Sequence, residues 1–268
     1  MNRCKQRMLA LAALPWIACI AMAAPPVMIE SLTSPELAAR VAQGATTILI
    51  PIGGTEQNGP YMTLGKHNAR VQELATRIAE QLGNALVAPV IAYVPEGNVA
   101  PPTQHMRYAG TISVPERAFE ATLEGVARSF RAHGFRDVVL LGDHGGYQAS
   151  LGRVAVRLDK EWAATPVRVH ALPEYYRAAS SSWDKTLAAR GFSAAEIGVH
   201  AGLADTSLSL ATTPSVVRVD ALRAAQHASA ARGVEGDPTR ASAELGSLGV
   251  DAIVASTVAA IRKAVARH

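Results

Sequence analysis

Residues 46–60 read TTILIPIGGTEQNGP, an apolar, β-branched run that ends in two glycines and is followed by polar residues. Residues 138–146 repeat the arrangement as VVLLGDHGG. Short apolar runs bounded by glycine are typical of strands buried on both faces of a parallel sheet. Because the carboxyl ends of parallel strands share one edge of the sheet, we expect both runs to deliver their polar residues to the same place.

Helical patterns alternate with these strands. Residues 71–82 repeat apolar side chains at helical spacing and stop at Gly83, and residues 113–116 form a capping box before a second apolar helical stripe. Further strands are predicted at residues 85–94 and 167–172, and further helices at residues 147–162 and from about residue 239 to 265. The alternation predicts a three-layer α/β/α fold with a mostly parallel sheet, in one domain that covers residues 24–268.

The first residues predict export. Three basic residues precede an apolar run from Met8 to Ala23 that ends in small residues, which is the pattern of a signal peptide over residues 1–23. We expect a periplasmic or secreted protein, and no stable membrane insertion once this segment is removed. A lipoprotein site at Cys19 is disfavoured because Trp16 stands where a small aliphatic residue is usual.

Charge and cysteine content narrow the function. Without the predicted signal, the net charge falls from +4 to +1, because that segment has three basic and no acidic residues. A nearly neutral domain gives no indication of a nucleic-acid partner. Both cysteines, Cys4 and Cys19, also lie in the signal, so any metal would be held by histidine, carboxylate or amide side chains.

Three polar clusters carry the candidate chemistry. The first follows the strand at residues 46–52, the second follows the strand at residues 138–141, and the third comes later in the chain. Together they offer imidazoles and carboxylates without a thiolate, a mixture of N and O ligands that suits Zn, Mn or Fe. Their candidate residues are Glu56, Asn58, His67, Asp143, His144, His200 and Asp205.

These clusters resemble the motifs of the creatininase family. Residues 54–60, GTEQNGP, resemble its Gly-x-Thr/Ser-Glu-Gln-His-Gly-Pro, and residues 142–146, GDHGG, resemble its Gly-Asn-His-Gly-Gly. Residues 200–207, HAGLADTS, resemble its His-Ala-Gly-x-x-Glu-Thr-Ser, and residues 104–112 and 233–246 also match in order. Five partial matches in series are more specific than any one of them.

The resemblance implies a creatininase-like α/β fold and a divalent-metal site. In that family the Glu, His and Asp of the first motif and the His of the second bind a pair of metals. Carried onto this chain, the resemblance makes Glu56, His67, His144 and Asp205 the metal ligands. It makes His200 the acid/base residue, beside Glu56 as the second catalytic residue.

Two positions depart from the family pattern. Asn58 stands where the family has His, and His67 stands where it has the bridging Asp. A carboxylate can bridge two metals and a neutral imidazole binds one, so one or two ions remain open, with Zn preferred and Mn or Fe as alternatives. The family's tryptophans near the acid/base His have no counterpart close before His200, which argues against creatinine as the substrate.

Four further residues have supporting roles in this interpretation. We expect Asp143 to orient a ligand histidine, although a turn role is equally compatible with its position. Gly145 and Gly146 would present backbone N–H groups to negative charge that develops on a carbonyl oxygen. His105 lies beside a long loop, residues 96–103, of the kind that often covers a site.

The predicted activity is hydrolysis of a C–N bond in a small amide, linear or cyclic, by metal-activated water. Two alternatives stay open: a metallopeptidase that trims a short peptide, and an exported binding protein that uses the same fold without catalysis. A cleft open at both ends would favour the peptidase, and a closed pocket would favour a small cyclic amide. The family is typically oligomeric, so the resemblance also implies a homo-oligomer.

Overall fold

Four parallel strands form the sheet at the centre of this computed structural model, which describes residues 26–224 and 233–267. Their order is β2-β1-β3-β4, and every pair is parallel, as predicted. The bounds are β1 (Thr47–Ile52), β2 (Ala85–Val87), β3 (Asp137–Gly142) and β4 (Arg168–Ala171). The predicted signal peptide lies outside the described residues.

Helices cover both faces of the sheet and confirm the three-layer fold. One face packs against α1 (Ser34–Ala42), α3 (Glu116–Ala132) and α4 (Gln148–Glu161). The other packs against α2 (Lys66–Leu82), α8 (Leu203–Thr212) and α10 (Ala243–Val265). Short helices complete the described chain: α5 (Pro173–Arg177), α6 (Trp183–Ala188), α7 (Ala194–Ile197) and α9 (Val219–Ala224).

Side chains of β1 alternate between the two cores. Ile48 and Ile50 pack toward α3 and α4, while Leu49 packs toward α2. Each of these side chains is fully buried, because helices cover both faces of the strand. This two-sided burial is the physical reason that β1 and β3 read as continuous apolar runs rather than as alternating ones.

The second predicted strand is much shorter than expected. Regular pairing stops at Val87, and only an isolated bridge from Ile91 to Ile52 continues the apolar run of residues 85–94. Pro89 interrupts the ladder because it has no backbone N–H to donate. The chain then continues to Thr103 without a helix or a strand.

The prediction of a capping box at residues 113–116 is wrong. Pro115 precedes the first helical residue of α3, and the hydroxyl of Ser113 is used elsewhere. It accepts a hydrogen bond from the backbone N–H of Glu96 at 3.0 Å and donates one to the carbonyl of Gly97 at 2.6 Å. Ser113 therefore fixes the backbone that carries Glu96.

The C-terminal helix α10 is long and apolar enough, by composition, to resemble a membrane span. In the fold it packs against α8 and α2, with Val250, Ile253 and Ile261 buried in the core. Packing against two helices accounts for its apolar character, because a helix covered on much of its surface needs few polar residues.

One tyrosine joins the ends of the two central strands. The hydroxyl of Tyr147 lies 2.7 Å from the carbonyl oxygens of Ile52 and Gly53 and accepts from the backbone N–H groups of Asp143 and His144 at 3.1 Å. The ring is fully buried, in the short turn of helix (Gly145–Tyr147) that precedes α4. These contacts hold the loop after β1 and the loop after β3 in one position.

Replacement of Tyr147 by phenylalanine should lower the free energy of unfolding by about 1–3 kcal/mol, because buried backbone groups lose their partner. Tyr93→Phe is the matched control, since Tyr93 is 63% exposed. Urea denaturation of both variants measures the difference, and the control should stay within about 0.5 kcal/mol of the unmodified protein. An equal, small effect in both variants would contradict the role assigned to this hydroxyl.

Candidate metal centre

Glu56 is the central residue of the site. It follows β1 in a loop that Asn68 holds, by accepting a hydrogen bond from the backbone N–H of Gly54 at 2.9 Å. Its carboxylate is fully buried, and its two oxygens face different groups. Oε1 faces Lys66 and His67, at 3.6 Å and 2.8 Å, whereas Oε2 has no hydrogen-bond partner among the described residues.

The first turn of α2 brings three basic side chains against these carboxylates. Lys66, His67 and Arg70 are all buried, although α2 has no acidic residue in its first turn and no side-chain cap. Positive charge at a helix N-terminus opposes the helix dipole, so neighbouring anions must offset it. Glu56 is one of these anions, and Asp143 and Asp205 are the others.

Asp143 holds both His67 and Arg70. Its Oδ2 lies 2.6 Å from Nδ1 of His67 and 2.9 Å from Nε of Arg70, and its Oδ1 accepts from the hydroxyl of Tyr175 at 2.7 Å. Burial alone would raise the pKa of Asp143, but Arg70 and His67 outweigh it and lower that pKa. Asp143 thus orients a histidine, and that histidine is His67.

In this structure both ring nitrogens of His67 are paired with carboxylates. Both ring nitrogens face carboxylate oxygens, Nδ1 toward Asp143 and Nε2 toward Glu56. Burial and Lys66 lower the pKa of His67, but its hydrogen bonds to Asp143 and Glu56 outweigh them and raise it. Because an ion would have to displace one of these carboxylates from the ring, this arrangement does not bring His67 together with the other candidate ligand atoms, and its predicted ligand role stays a prediction.

Asp205 is likewise paired, with cationic side chains, and its predicted ligand role also stays a prediction. It lies in the first turn of α8, and both of its oxygens are used. Oδ1 accepts from Arg70 at 2.5 Å, while Oδ2 contacts the ammonium of Lys66 and accepts from the backbone N–H of Ala201 at 3.0 Å. These contacts hold the pKa of Asp205 well below its usual range, although burial acts to raise it and the positive charges of Lys66 and Arg70 prevail.

A different set of four side chains has the geometry of a metal site. One ligand atom from each lies within 4.8 Å of every other. Nε2 of His105 is 3.2 Å, and Nε2 of His144 is 3.6 Å, from Oε2 of Glu56. Nε2 of His144 is also 3.7 Å from Oε2 of Glu96. The set is therefore Glu56, Glu96, His105 and His144, and we call it the ligand quartet.

Glu96 reaches the quartet from the long loop after β2. Gly54 leaves room for it, because a Cβ at Gly54 would lie 2.6 Å from Oε1 of Glu96. Both carboxylate oxygens of Glu96 are buried without a hydrogen-bond partner among the described residues. Burial and the negative charge of Glu56 raise the pKa of Glu96 to about 8, so in the absence of a cation it holds a proton at neutral pH.

The two histidines of the quartet are neutral. Burial lowers the pKa of His144 to about 4 and lowers the pKa of His105 below its ordinary value. The backbone N–H of Gly146 donates to Nδ1 of His144 at 3.2 Å, so the neutral ring carries its proton on Nε2, which faces the two carboxylates. Binding of an ion through Nε2 would move that proton to Nδ1 and replace this hydrogen bond. The N–H of Gly146 is therefore used inside the loop, not presented to a substrate as predicted, whereas Gly145 does border the cavity beside the quartet.

The quartet fits a divalent ion. Around one ion with ligand distances of about 2.0–2.2 Å, neighbouring ligand atoms are roughly 3–4.5 Å apart, which matches the spacing here. Three buried carboxylate oxygens of the quartet have no hydrogen-bond partner among the described residues, and a cation would satisfy them. One belongs to Glu56 and two belong to Glu96. Two carboxylates with two imidazoles suit Zn, Mn or Fe.

His200 lies beside the quartet, at the rim of the site. Its Nε2 lies 2.9 Å from the carbonyl oxygen of Gln57 and 3.1 Å from the side-chain amide nitrogen of the same residue, and the contact with the carbonyl is a hydrogen bond when Nε2 carries the proton. The bare Nδ1 lies 3.7 Å from Oε1 of Glu56. Burial and the charge of Lys66 lower the pKa of His200 to about 3, so the ring is neutral at neutral pH.

Asn58 supports the loop rather than the quartet. Its amide donates to the carbonyl oxygens of Glu56 and Thr63, each at 2.9 Å. The departure from the family His therefore places a backbone-bracing amide at this position, and its Oδ1 is buried without a hydrogen-bond partner among the described residues.

Two cavities meet at the quartet. One of about 300 Å³ is lined by Lys66, Tyr176 and Asp205, and a second of about 360 Å³ is lined by Gln104 and Arg107. Both include His105, His144, His200 and Glu235. Both cavities thus border the two histidines of the quartet.

Several residues of the site were not found from the sequence. Lys66 and Arg70 lie at the start of the buried stripe of α2, where a charged residue is unusual. A charged residue at such a position indicates a buried ion pair, and this could have been inferred from the sequence. Glu96 closes the apolar run of residues 85–94, in the same way that Glu56 and Asp143 follow β1 and β3.

Comparison with known proteins finds similar enzymes. Creatinine amidohydrolase of Pseudomonas putida is 28% identical over 202 residues, 72% of this chain and 75% of that protein. A mycofactocin precursor peptide peptidase of Mycobacterium ulcerans is 30% identical over 221 residues, 74% of this chain and 77% of that protein.

Solved structures of creatininases share the fold. One described as creatininase with Mn has a TM-score of 0.74 at 27% identity and covers 89% of this chain and 98% of that one. A variant described as of the Zn-Zn type has a TM-score of 0.72 at 26% identity, with 90% and 98% covered. The profile of the creatininase (creatinine amidohydrolase) family matches residues 30–261. The relatives are hydrolases, and this chain belongs to the creatininase family.

Proposed function

We propose that this chain is a metal-dependent hydrolase that cleaves a C–N bond, with its ion held by Glu56, Glu96, His105 and His144. The observation that carries the proposal is the ligand quartet, in which buried carboxylate oxygens without partners face two neutral imidazoles. A protein that used the fold only for binding would have no reason to bury two carboxylates in this way. Membership of a family of hydrolases supports the same conclusion.

When bound, a divalent ion at the quartet supplies Lewis acidity, which lowers the pKa of water toward neutrality and polarises a carbonyl. The protein's own contribution begins with His200. Its unprotonated Nδ1 can accept a proton from the attacking water, because Nε2 is held by the carbonyl of Gln57. The resulting imidazolium can then deliver that proton to the leaving nitrogen. His200 would therefore act first as a base and then as an acid.

The buried charged side chains around the site hold the reacting groups in fixed orientations. Arg70 and Asp143 hold His67 against Glu56, so the Glu56 carboxylate cannot rotate without breaking its charge-assisted hydrogen bond to His67. Fixed orientation of a ligand carboxylate is what allows one of its oxygens to remain directed at the ion.

The peptidase function is the second candidate, and the cavities favour it. A substrate that extends on both sides of the scissile bond could occupy the cavity beside Tyr176 and the cavity beside Arg107 together. A small cyclic amide needs only one of them. The similarity to a peptide peptidase at 30% identity supports the same interpretation.

Metal content tests the quartet. The purified protein should retain Zn, Mn or Fe, and Glu56→Ala, Glu96→Ala, His105→Ala and His144→Ala should each weaken binding by at least about 10–100-fold, the loss seen when even supporting residues are removed. Glu80→Ala and His133→Ala are matched controls on the exposed surface. Elemental analysis of the folded proteins measures the effect. Metal-free wild-type protein after incubation with each ion would contradict the proposal.

Turnover tests the role of His200. The His200→Ala variant should keep its metal and lose about 10²–10⁴-fold in kcat, the usual contribution of a general acid–base residue. His133→Ala again serves as the control, and metal content is measured on the same samples. Loss of metal together with activity would instead show that His200 maintains the site.

A substrate panel separates the two candidate functions. Creatinine, simple lactams and acylated tetrapeptides are compared with the wild-type protein and with Arg107→Ala, which alters the second cavity. If the substrate is a peptide, this variant should raise KM for tetrapeptides and leave lactam hydrolysis unchanged. Faster hydrolysis of lactams than of every peptide would favour the small-amide function.

A further inference from the structure

Lys66 is a buried cation beside the ligand quartet. Its side chain is 1% exposed, which is rare for lysine unless carboxylates surround the ammonium. Nζ contacts Oδ2 of Asp205 and lies 3.6 Å from Oε1 of Glu56. The ammonium is thus bound between two carboxylates from different parts of the chain, in the manner of a bound cation.

The two oxygens of Glu56 divide the site into two halves. Oε2 faces His105 and His144, where no cation is built into the protein. Oε1 faces Lys66 and His67, where cations are already present. Only the first half contains carboxylate oxygens without partners among the described residues, so only that half has unsatisfied anionic ligands.

Asp205 belongs entirely to the second half. Lys66, Arg70 and the backbone N–H of Ala201 use its oxygens, and the first two neutralise its charge. A divalent ion in this half would have to displace the ammonium of Lys66, because Arg70 already pairs with the other oxygen of Asp205. In another protein, the solved relative described as of the Zn-Zn type, the same fold holds two ions.

We propose that the ammonium of Lys66 takes the place of a second divalent ion between Glu56 and Asp205, so that this centre holds a single ion. The inference rests on the proposed function, because it presupposes one ion at the quartet. It gives Lys66 a definite part: a built-in cation that neutralises the shared carboxylate of Glu56 and sets the number of ions bound.

Metal stoichiometry tests this proposal directly. Lys66→Met removes the charge and keeps a side chain of similar length, and Lys160→Met is the control because Lys160 is exposed. After saturation with Zn or Mn and removal of excess ion, the wild-type and control proteins should retain about one equivalent per chain, and Lys66→Met about two. Titration calorimetry on the same samples should show a second binding event in Lys66→Met alone.

The double variant Lys66→Met/Asp205→Asn identifies the ligands of the additional ion. It removes the ammonium together with one of its two carboxylates, so binding should return to about one equivalent. Two equivalents in the double variant, or one in folded Lys66→Met, would overturn the proposal.

Folding provides a second measurement if the unpaired carboxylates destabilise the single variant. In that case Zn or Mn added during refolding should restore folded Lys66→Met, because the ion replaces the lost positive charge, and should have no such effect on the double variant. Failure of either ion to restore folding would overturn the proposal. Wild-type protein that binds no metal would refute the proposed centre itself, whereas two equivalents in the wild type would refute only the part assigned to Lys66.

Discussion

The buried carboxylate of Glu56 is the constraint on which the rest of the site depends. An isolated carboxylate cannot remain ionised inside a protein, so this one is offset by Lys66 and His67, and these two are in turn offset by Asp205 and Asp143. Arg70 joins both aspartates. Three carboxylates and three cationic side chains therefore form one connected cluster, and removing one member of such a pair typically costs about 3–5 kcal/mol.

This cluster explains how the fold positions the site. β1 and β3 end side by side, and Tyr147 joins their loops, so Glu56, Asp143 and His144 arrive at one edge of the sheet. The first turn of α2 then adds three cations that oppose its own dipole. That arrangement is unfavourable for an isolated helix and becomes stable only against the carboxylates, which couples the placement of α2 to the chemistry of the site.

The sequence was sufficient to predict the parallel sheet and the location of Glu56 and His144 in the loops after the two central strands, because strand ends in a parallel sheet converge. It did not predict which side chains contact His67 or which contact Asp205, because the partner of a side chain depends on tertiary packing. Glu96 was named only as the start of a loop, because its approach to Glu56 requires the close fit at Gly54 and the hydrogen bond from its backbone to Ser113.

Anomalous X-ray diffraction at the absorption edge of the bound metal, on crystals of the loaded wild-type protein, tests the central claim most directly. The account predicts one peak, within ligand distance of Glu56, Glu96, His105 and His144, with Lys66 still in contact with Asp205. A peak bound by His67 and Asp205, with Lys66 and Arg70 displaced from those carboxylates, would contradict it.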